Sequence, residues 1–537
     1  MIKNKNGLIL IFILFILVLS RIALYPIFGV GIVGTDAEAT YLPQVDELSQ
    51  SLGSIFSQIG PAYSLFLLFF KKITNDVVAG PVFIQHIIGV ITGVLVFYYF
   101  KRVNLFLAAF ITIFVYSGWL ALWSEHTILR ESLAAFFLVS LILISSLAIR
   151  EEKYFKLPYA FLAGFTGLIL VFFRIEFIIL VFLMPLIILV AKKKERPDFK
   201  IVDEALSSSS PFANARVADE GVASSSPFAN ARVADEGVAS SSPFANARVF
   251  DGSYLKWSLG YFIPLLIVLA VYGGILPKQN NETKYGSWFG IAYLSVAYNG
   301  FMPKIFYYEN SRYPELLKGY QESLREADKF TTENKREKVS RSISALRAVT
   351  ENYLFEHSEI NLSVNQLMDR VYLEIMTKNT LVYLESFVIN LKNHLLGISE
   401  LNTVLSKDSQ ITLLKVHLSG NEPSDAKDLR PVSIFDKAFR IYIEGMIIFS
   451  KILFWLFLVS LPFLFFRWKT LPIEIIISFL VVAIHISVLA IIADPAHRFR
   501  YAIDPFLYFF QLYLILIFFR WVFSELKNIK ILGIKQS

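Results

Sequence analysis

The feature that most constrains this chain is the length of its apolar runs. Stretches near 7–24, 80–100, 104–122, 131–149, 157–173, 175–191, 254–276, 443–466, 471–493 and 503–520 each approach the roughly 20 residues needed to cross a hydrocarbon core. A backbone in lipid must satisfy its own polar groups, so such runs predict helices. The sequence therefore predicts an all-α polytopic membrane protein with about ten transmembrane helices. Composition agrees: 55% of the 537 residues are hydrophobic and 50 are Phe. There is no cysteine, which excludes disulfides, thiolate metal sites and Cys nucleophiles. The net charge of +7 does not point to nucleic acid, because basic residues in a membrane protein first report orientation.

The first run follows Lys3 and Lys5 and lacks a small-residue cleavage site, so it reads as a retained span rather than a signal peptide. With that end cytoplasmic, the short cytoplasmic connections hold Lys101-Arg102, Arg150, Lys153, Lys192–Lys194, Arg467 and Lys469, and the tail holds Lys527 and Lys530. This is the basic bias expected of cytoplasmic loops, and both termini are expected inside. The opposite connections are the 25–79 loop, the 124–130 turn, Arg174, the 277–442 segment and 494–501.

Three further pieces complete the layout. PAYSLFLLFF at 61–70 is too short to span and is followed by Lys71-Lys72, the pattern of an interfacial helix, with a re-entrant piece as the alternative. Residues 196–253 are a cytoplasmic loop containing SSSPFANARVADEGVA twice and then a truncated copy, a period of 16 set by Pro211, Pro227 and Pro243. Its Ser, Ala and Pro content predicts a disordered or weakly structured insertion. Residues 277–442 carry frequent charges and helical spacing, as in VNQLMDRVYLEIMTKNTLVYLESFVINLKNHLL, and predict a mainly helical extracytoplasmic segment. The remaining divisions are an N-terminal transmembrane module over 1–195, a span at 254–276, and a C-terminal module over 443–537.

Ionisable residues gather on one side of this layout. Asp36 and Glu38 follow the first span. Glu125, His126, Arg130 and Glu131 lie between the third and fourth, Arg174 and Glu176 between the fifth and sixth, and Asp494, His497, Arg498, Arg500 and Tyr501 before the last. Charges near membrane depth are costly and face a cavity or each other. A carboxylate can take a proton from a hydroxyl, and arginines can hold a phosphate as it leaves. The plainer alternative is that Arg498 and Arg500 snorkel to lipid headgroups. His485 reads as a buried histidine bonded to a neighbour. Glu474 suits a positive helix N-terminus, and His86 could line a cavity.

TDAEATYL, then GPAYSLFLLFFKKI, then LRESLAAFFLVSLIL, FFRIEFIILVFLMPL and HRFRYAIDPFLYFF together resemble the GT-C membrane glycosyltransferases. The similarity is to the bacterial protein O-mannosyltransferase and aminoarabinose-transferase superfamily, over 1–195 and 254–520. An alanine separates the two acids that are adjacent in the family. The resemblance implies a GT-C-like helical bundle in a bacterial cytoplasmic membrane, with its active site facing outside. It implies a polyprenyl-phosphate-linked sugar as donor, transferred with inversion to a lipid, glycan or protein acceptor. Asp36 would be the general base and Glu38 its nearest rival. Glu125 would orient the acceptor or share a divalent ion with Asp36. Arg498, Arg500, Tyr501 and Arg174 would bind the donor phosphate, and His126, Arg130 and His497 would line the cavity. The rival readings are a transporter or flippase of lipid-linked glycans, a polysaccharide polymerase or ligase, and a non-catalytic scaffold.

Overall fold

The computed structural model describes residues 5–25, 29–31, 33, 37, 41–51, 61–151, 155–195, 252–275, 306, 310–329, 335–396, 434–492 and 501–534. Among them every regular element longer than a single bridge is a helix. In chain order these are α1 (Lys5–Ile22), α2 (Leu42–Gln50), α3 (Pro61–Thr74), α4 (Ala79–Phe100), α5 (Leu105–Tyr116) and α6 (Trp119–His126). They continue with α7 (Glu131–Arg150), α8 (Leu157–Phe173), α9 (Ile178–Glu195), α10 (Gly252–Ile275), α11 (Pro314–Lys329) and α12 (Lys335–Glu356). The last are α13 (Val364–Lys378), α14 (Thr380–Leu396), α15 (Ile434–Arg467), α16 (Ile473–Ile492) and α17 (Asp504–Ile534). The repeats of 208–249 lie outside the described residues.

Five described stretches are long and apolar enough to cross a membrane: Ala79–Phe100, Glu131–Arg150, Ile175–Lys192, Ile473–Ala490 and Tyr501–Ser524. The pair α5 and α6 makes a sixth if counted as one span, although the two helices are bent by 48°. Asn6–Ile22 and Leu157–Phe173 are shorter apolar helices. The sequence reads 104–122 as one unbroken run. Gly118, extended at φ −70° and ψ 151°, interrupts it, and the helix restarts and runs on to His126.

The bundle has a charged layer at each end. In α7, Glu131 is the first residue and Arg150 the last, about 28 Å apart at about 1.5 Å per residue. That is close to the roughly 30 Å of a hydrocarbon core. At the Arg150 end, its guanidinium pairs with Glu474 in the first turn of α16, and the Tyr99 hydroxyl donates to the Glu474 carbonyl at 3.3 Å. Glu474 therefore meets both a helix N-terminus and a cation.

α3 turns Tyr63, Ser64, Leu67 and Leu68 inward and leaves Phe69 and Ile73 exposed. Its buried face packs on α2, α4 and α8. A second, smaller core gathers Leu316, Leu317, Tyr320, Leu346, Leu367, Val371 and Ile375 from α11, α12 and α13. α13 opens with a reciprocal cap in which Gln366 N–H donates to Ser363 Oγ and Ser363 N–H to Gln366 Oε1. α14 belongs to both cores: Tyr383 packs in the small one, while Leu391 and Leu395 pack on the large one. The mainly helical character expected for 277–442 holds over its described residues. α15, however, begins at residue 434 rather than near 443, and its 34 residues reach about 50 Å.

Close backbone approach joins α8 to α10. Gly164 lies against the Tyr261 carbonyl, where any side chain would collide. Tyr261 in turn repairs a defect in α9. Pro185 has no N–H, so the Val181 carbonyl four residues earlier lacks its helical donor. The Tyr261 hydroxyl donates to that carbonyl at 2.8 Å. Tyr261→Phe is therefore expected to cost about 1–3 kcal/mol by denaturation in detergent. In a Pro185→Ala background, which restores the N–H, the same change should cost much less.

Candidate functional site

Glu125 sits in the last turn of α6 with 0% of its surface exposed. Its backbone is pinned from α4: the Gln85 amide Nε2 donates to the carbonyls of Glu125 and Thr127, each at 2.9 Å. These are carbonyls that the end of α6 leaves without helical partners. The Tyr63 hydroxyl of α3 donates to Gln85 Oε1 at 2.7 Å and so fixes the amide's orientation. The carboxylate packs on Gly89 of α4, where even one added carbon would overlap it.

A buried carboxylate needs a cation and hydrogen bonds to remain charged. Arg21, in the last turn of α1, supplies the cation. Its Nη2 meets Glu125 Oε1 at 2.6 Å, and its Nη1 donates to the Leu17 carbonyl at 2.8 Å. The second oxygen, Oε2, lies 3.1 Å from His86 Nδ1, and His86 Nε2 lies 3.0 Å from His126 Nδ1. The Tyr25 ring closes the group edge-on to His126, at 5.5 Å between centroids. Three helices thus contribute one continuous line, Arg21–Glu125–His86–His126.

A second charged group adjoins it. Arg174, buried just beyond α8, places Nη1 3.6 Å from Glu131 Oε1 and Nη2 3.1 Å from Glu176 Oε1. Arg130 is within electrostatic reach of Glu176. A phosphate at Arg174 would have to displace two carboxylates. Tyr501 and Asp504, both buried, open the last helix. The Tyr501 ring lies 6.3 Å from that of Tyr116, and Glu125, Arg21 and Asp504 act on both phenols.

Of the residues expected from sequence, Glu125, His126, Arg130, Arg174 and Tyr501 come together at one end of the bundle. Asp36, Glu38, His497, Arg498 and Arg500 lie outside the described residues, although Ala37 between the two acids and Tyr501 after Arg500 are buried. His485 is buried and stacks on Phe177, with 4.2 Å between centroids. Sequence reasoning missed Arg21 and Gln85 altogether. Their signal was a polar residue near the end of an apolar helix, where such groups face each other rather than lipid. Glu125 does not fit as a ligand for a divalent ion: a guanidinium and an imidazole occupy the approaches to its two oxygens. Among the described residues no group of three or more His, Asp or Glu is arranged to hold a metal.

Removing one partner of a buried pair strands the other's charge. Arg21→Leu is expected to cost about 3–5 kcal/mol in thermal unfolding of the detergent-solubilised protein. Adding Glu125→Gln should recover most of that loss. Equal losses in the single and double variants would mean that Arg21 acts by packing instead.

Compared with protein-family models, with curated proteins and with solved structures, the chain finds no match.

Proposed function

We propose that the chain is an integral membrane glycosyltransferase of GT-C type, with about ten spans and both termini cytoplasmic. It would move a sugar from a polyprenyl-phosphate donor to a hydroxyl of a lipid, glycan or protein acceptor on the extracytoplasmic face. The observation that supports this reading is one-ended polarity. Arg21, His86, Glu125, His126, Glu131, Arg174 and Tyr501 share one end of the bundle, about 28 Å by helical rise from the Arg150–Glu474 pair at the other. Chemistry on a lipid-borne donor needs its polar groups at the interface, where the phosphate sits. A transporter would need them near the midplane and on broken helices.

In this mechanism Asp36 takes the proton of the acceptor hydroxyl. The freed oxygen attacks the anomeric carbon from the face opposite the phosphate. The carbon–oxygen bond to phosphate breaks, and polyprenyl phosphate leaves with the electron pair and with inversion at carbon. Arg498 and Arg500 hold the leaving phosphate, with Tyr501 beside them. This assignment fits Arg174's commitment to Glu131 and Glu176. Glu125 contributes through its neighbours rather than by touching substrate.

Asp36→Asn is expected to remove transfer while leaving the detergent-solubilised protein folded. In cells it should cause a polyprenyl-phospho-sugar to accumulate and one glycan decoration to disappear, both read by mass spectrometry. Full transfer by purified Asp36→Asn would overturn the base assignment, and an unchanged glycan profile in a deletion strain would overturn the reading as a whole.

A further inference from the structure

At the Arg150 end of the bundle the fold leaves two lysines without acids. α8 starts there at Leu157 with Lys156 as its N-cap, and α10 starts there at Gly252 with Lys256 in its second turn. Both lysines are exposed, and among the described residues neither meets a carboxylate.

Their closeness follows from how α8 and α10 pack. The Phe155 ring stacks on that of Trp257, with 5.7 Å between centroids and 7° between planes. Leu157 lies over Gly260, where an added Cβ would come within 2.5 Å of Leu157 Cδ1. These two contacts put Lys156 level with Lys256 to within about 5 Å along the helix axis. A third cation comes from α9, where Lys192 Nζ lies 3.3 Å from the centroid of the Phe155 ring, a cation held on an aromatic face. Trp257 is buried and stacks in turn on Tyr261, whose hydroxyl ties α10 to α9. Three helices thus fix one basic patch.

Beside the cations the surface turns aliphatic. Leu157 follows Lys156, and Leu255 and Leu259 flank Lys256; they are 55%, 57% and 57% exposed. α8 and α10 also both direct their positive N-terminal ends to this side. Lysines set against exposed leucines at the ends of apolar helices match an amphiphile, with its phosphate on the basic groups and its chains on the apolar ones. An acidic peptide or free phosphate would satisfy the lysines and leave the leucines uncovered.

We propose that the start of α8 and α10 is a binding site for an anionic phospholipid. Lys156 and Lys256 hold the headgroup phosphate, Lys192 adds its charge, and the acyl chains run along Leu157, Leu255 and Leu259. The site lies at the opposite end of α7 from Glu131. It is therefore distinct from the groups proposed to act on a polyprenyl-phosphate donor and does not depend on that reading.

Native mass spectrometry of the full-length protein in detergent tests this, with phosphatidylglycerol as the probe and phosphatidylcholine as its net-neutral counterpart. Wild type should hold one phosphatidylglycerol about tenfold more tightly than phosphatidylcholine. Lys156→Gln and Lys256→Gln should each weaken it about fivefold, the worth of one lysine beside an anionic lipid. Lys156→Arg with Lys256→Arg should keep it. Thermal unfolding without added lipid should be unchanged in all of these variants, because both side chains are exposed. Lys101→Gln with Arg102→Gln removes the same charge at the same end, just beyond Tyr99 and its bond to Glu474, and should leave binding intact. Equal weakening in that control would mean attraction without a site and would overturn the proposal. So would displacement of the lipid by inorganic phosphate. Phosphatidylglycerol binding that appears only after the 208–249 repeats are deleted would make the chain's own loop the occupant, and would overturn it too.

Discussion

A carboxylate with no exposure, at the end of an apolar bundle, is the constraint around which the described structure is arranged. Glu125 can stay charged only if a cation reaches it through protein, so the end of α1 must meet the end of α6. The carboxylate needs room beside α4, so that helix carries a glycine at position 89. The backbone around it must not wander, so Gln85 takes two of its carbonyls and Tyr63 holds Gln85. These requirements fix how α1, α3, α4 and α6 converge before any chemistry is considered. What leads from them toward function is that the same convergence gathers Arg174, Glu131 and Tyr501 nearby.

Charges at the two ends play different parts. Arg150 and Glu474 form an ion pair that ties α7 to α16 at one end. The other end carries several charges of both signs: Arg21 and Glu125 pair across 104 positions, and Arg174 meets both distant Glu131 and nearby Glu176. Arg174, flanked by two acids, is spent on structure. The proposed chemistry therefore draws on groups from the 36–38 and 497–500 segments rather than on Arg174.

Much of the helical layout was legible in the sequence, because a membrane helix announces itself by a local property, the length of an apolar run. The one-sided gathering of polar residues was legible for the same reason. The bend at Gly118 was not, since the run is equally apolar on both sides of it. The start of α15 was obscured because charged residues such as Asp436 and Lys437 dilute the pattern while the helix continues through them. Least legible were the partnerships. Arg21 and Glu125 are 104 positions apart, and nothing in a single sequence says which cation a buried acid will choose. The pairing of Tyr261 with the carbonyl freed by Pro185 shows the same limit. The proline marks the defect, but its remedy comes from another helix.

α14 contributes side chains to two cores at once, and this bears on how the chain acquires its shape. The helices of the small core are close in sequence and can collapse onto one another quickly. α14, however, also packs on α16, where the Asn390 amide donates to the Ala490 carbonyl at 3.4 Å. The small core is thus not a detachable module appended to a finished bundle. Its assembly is tied to the arrival of a helix about 100 residues downstream, so α14 takes its final place only once α16 has been made.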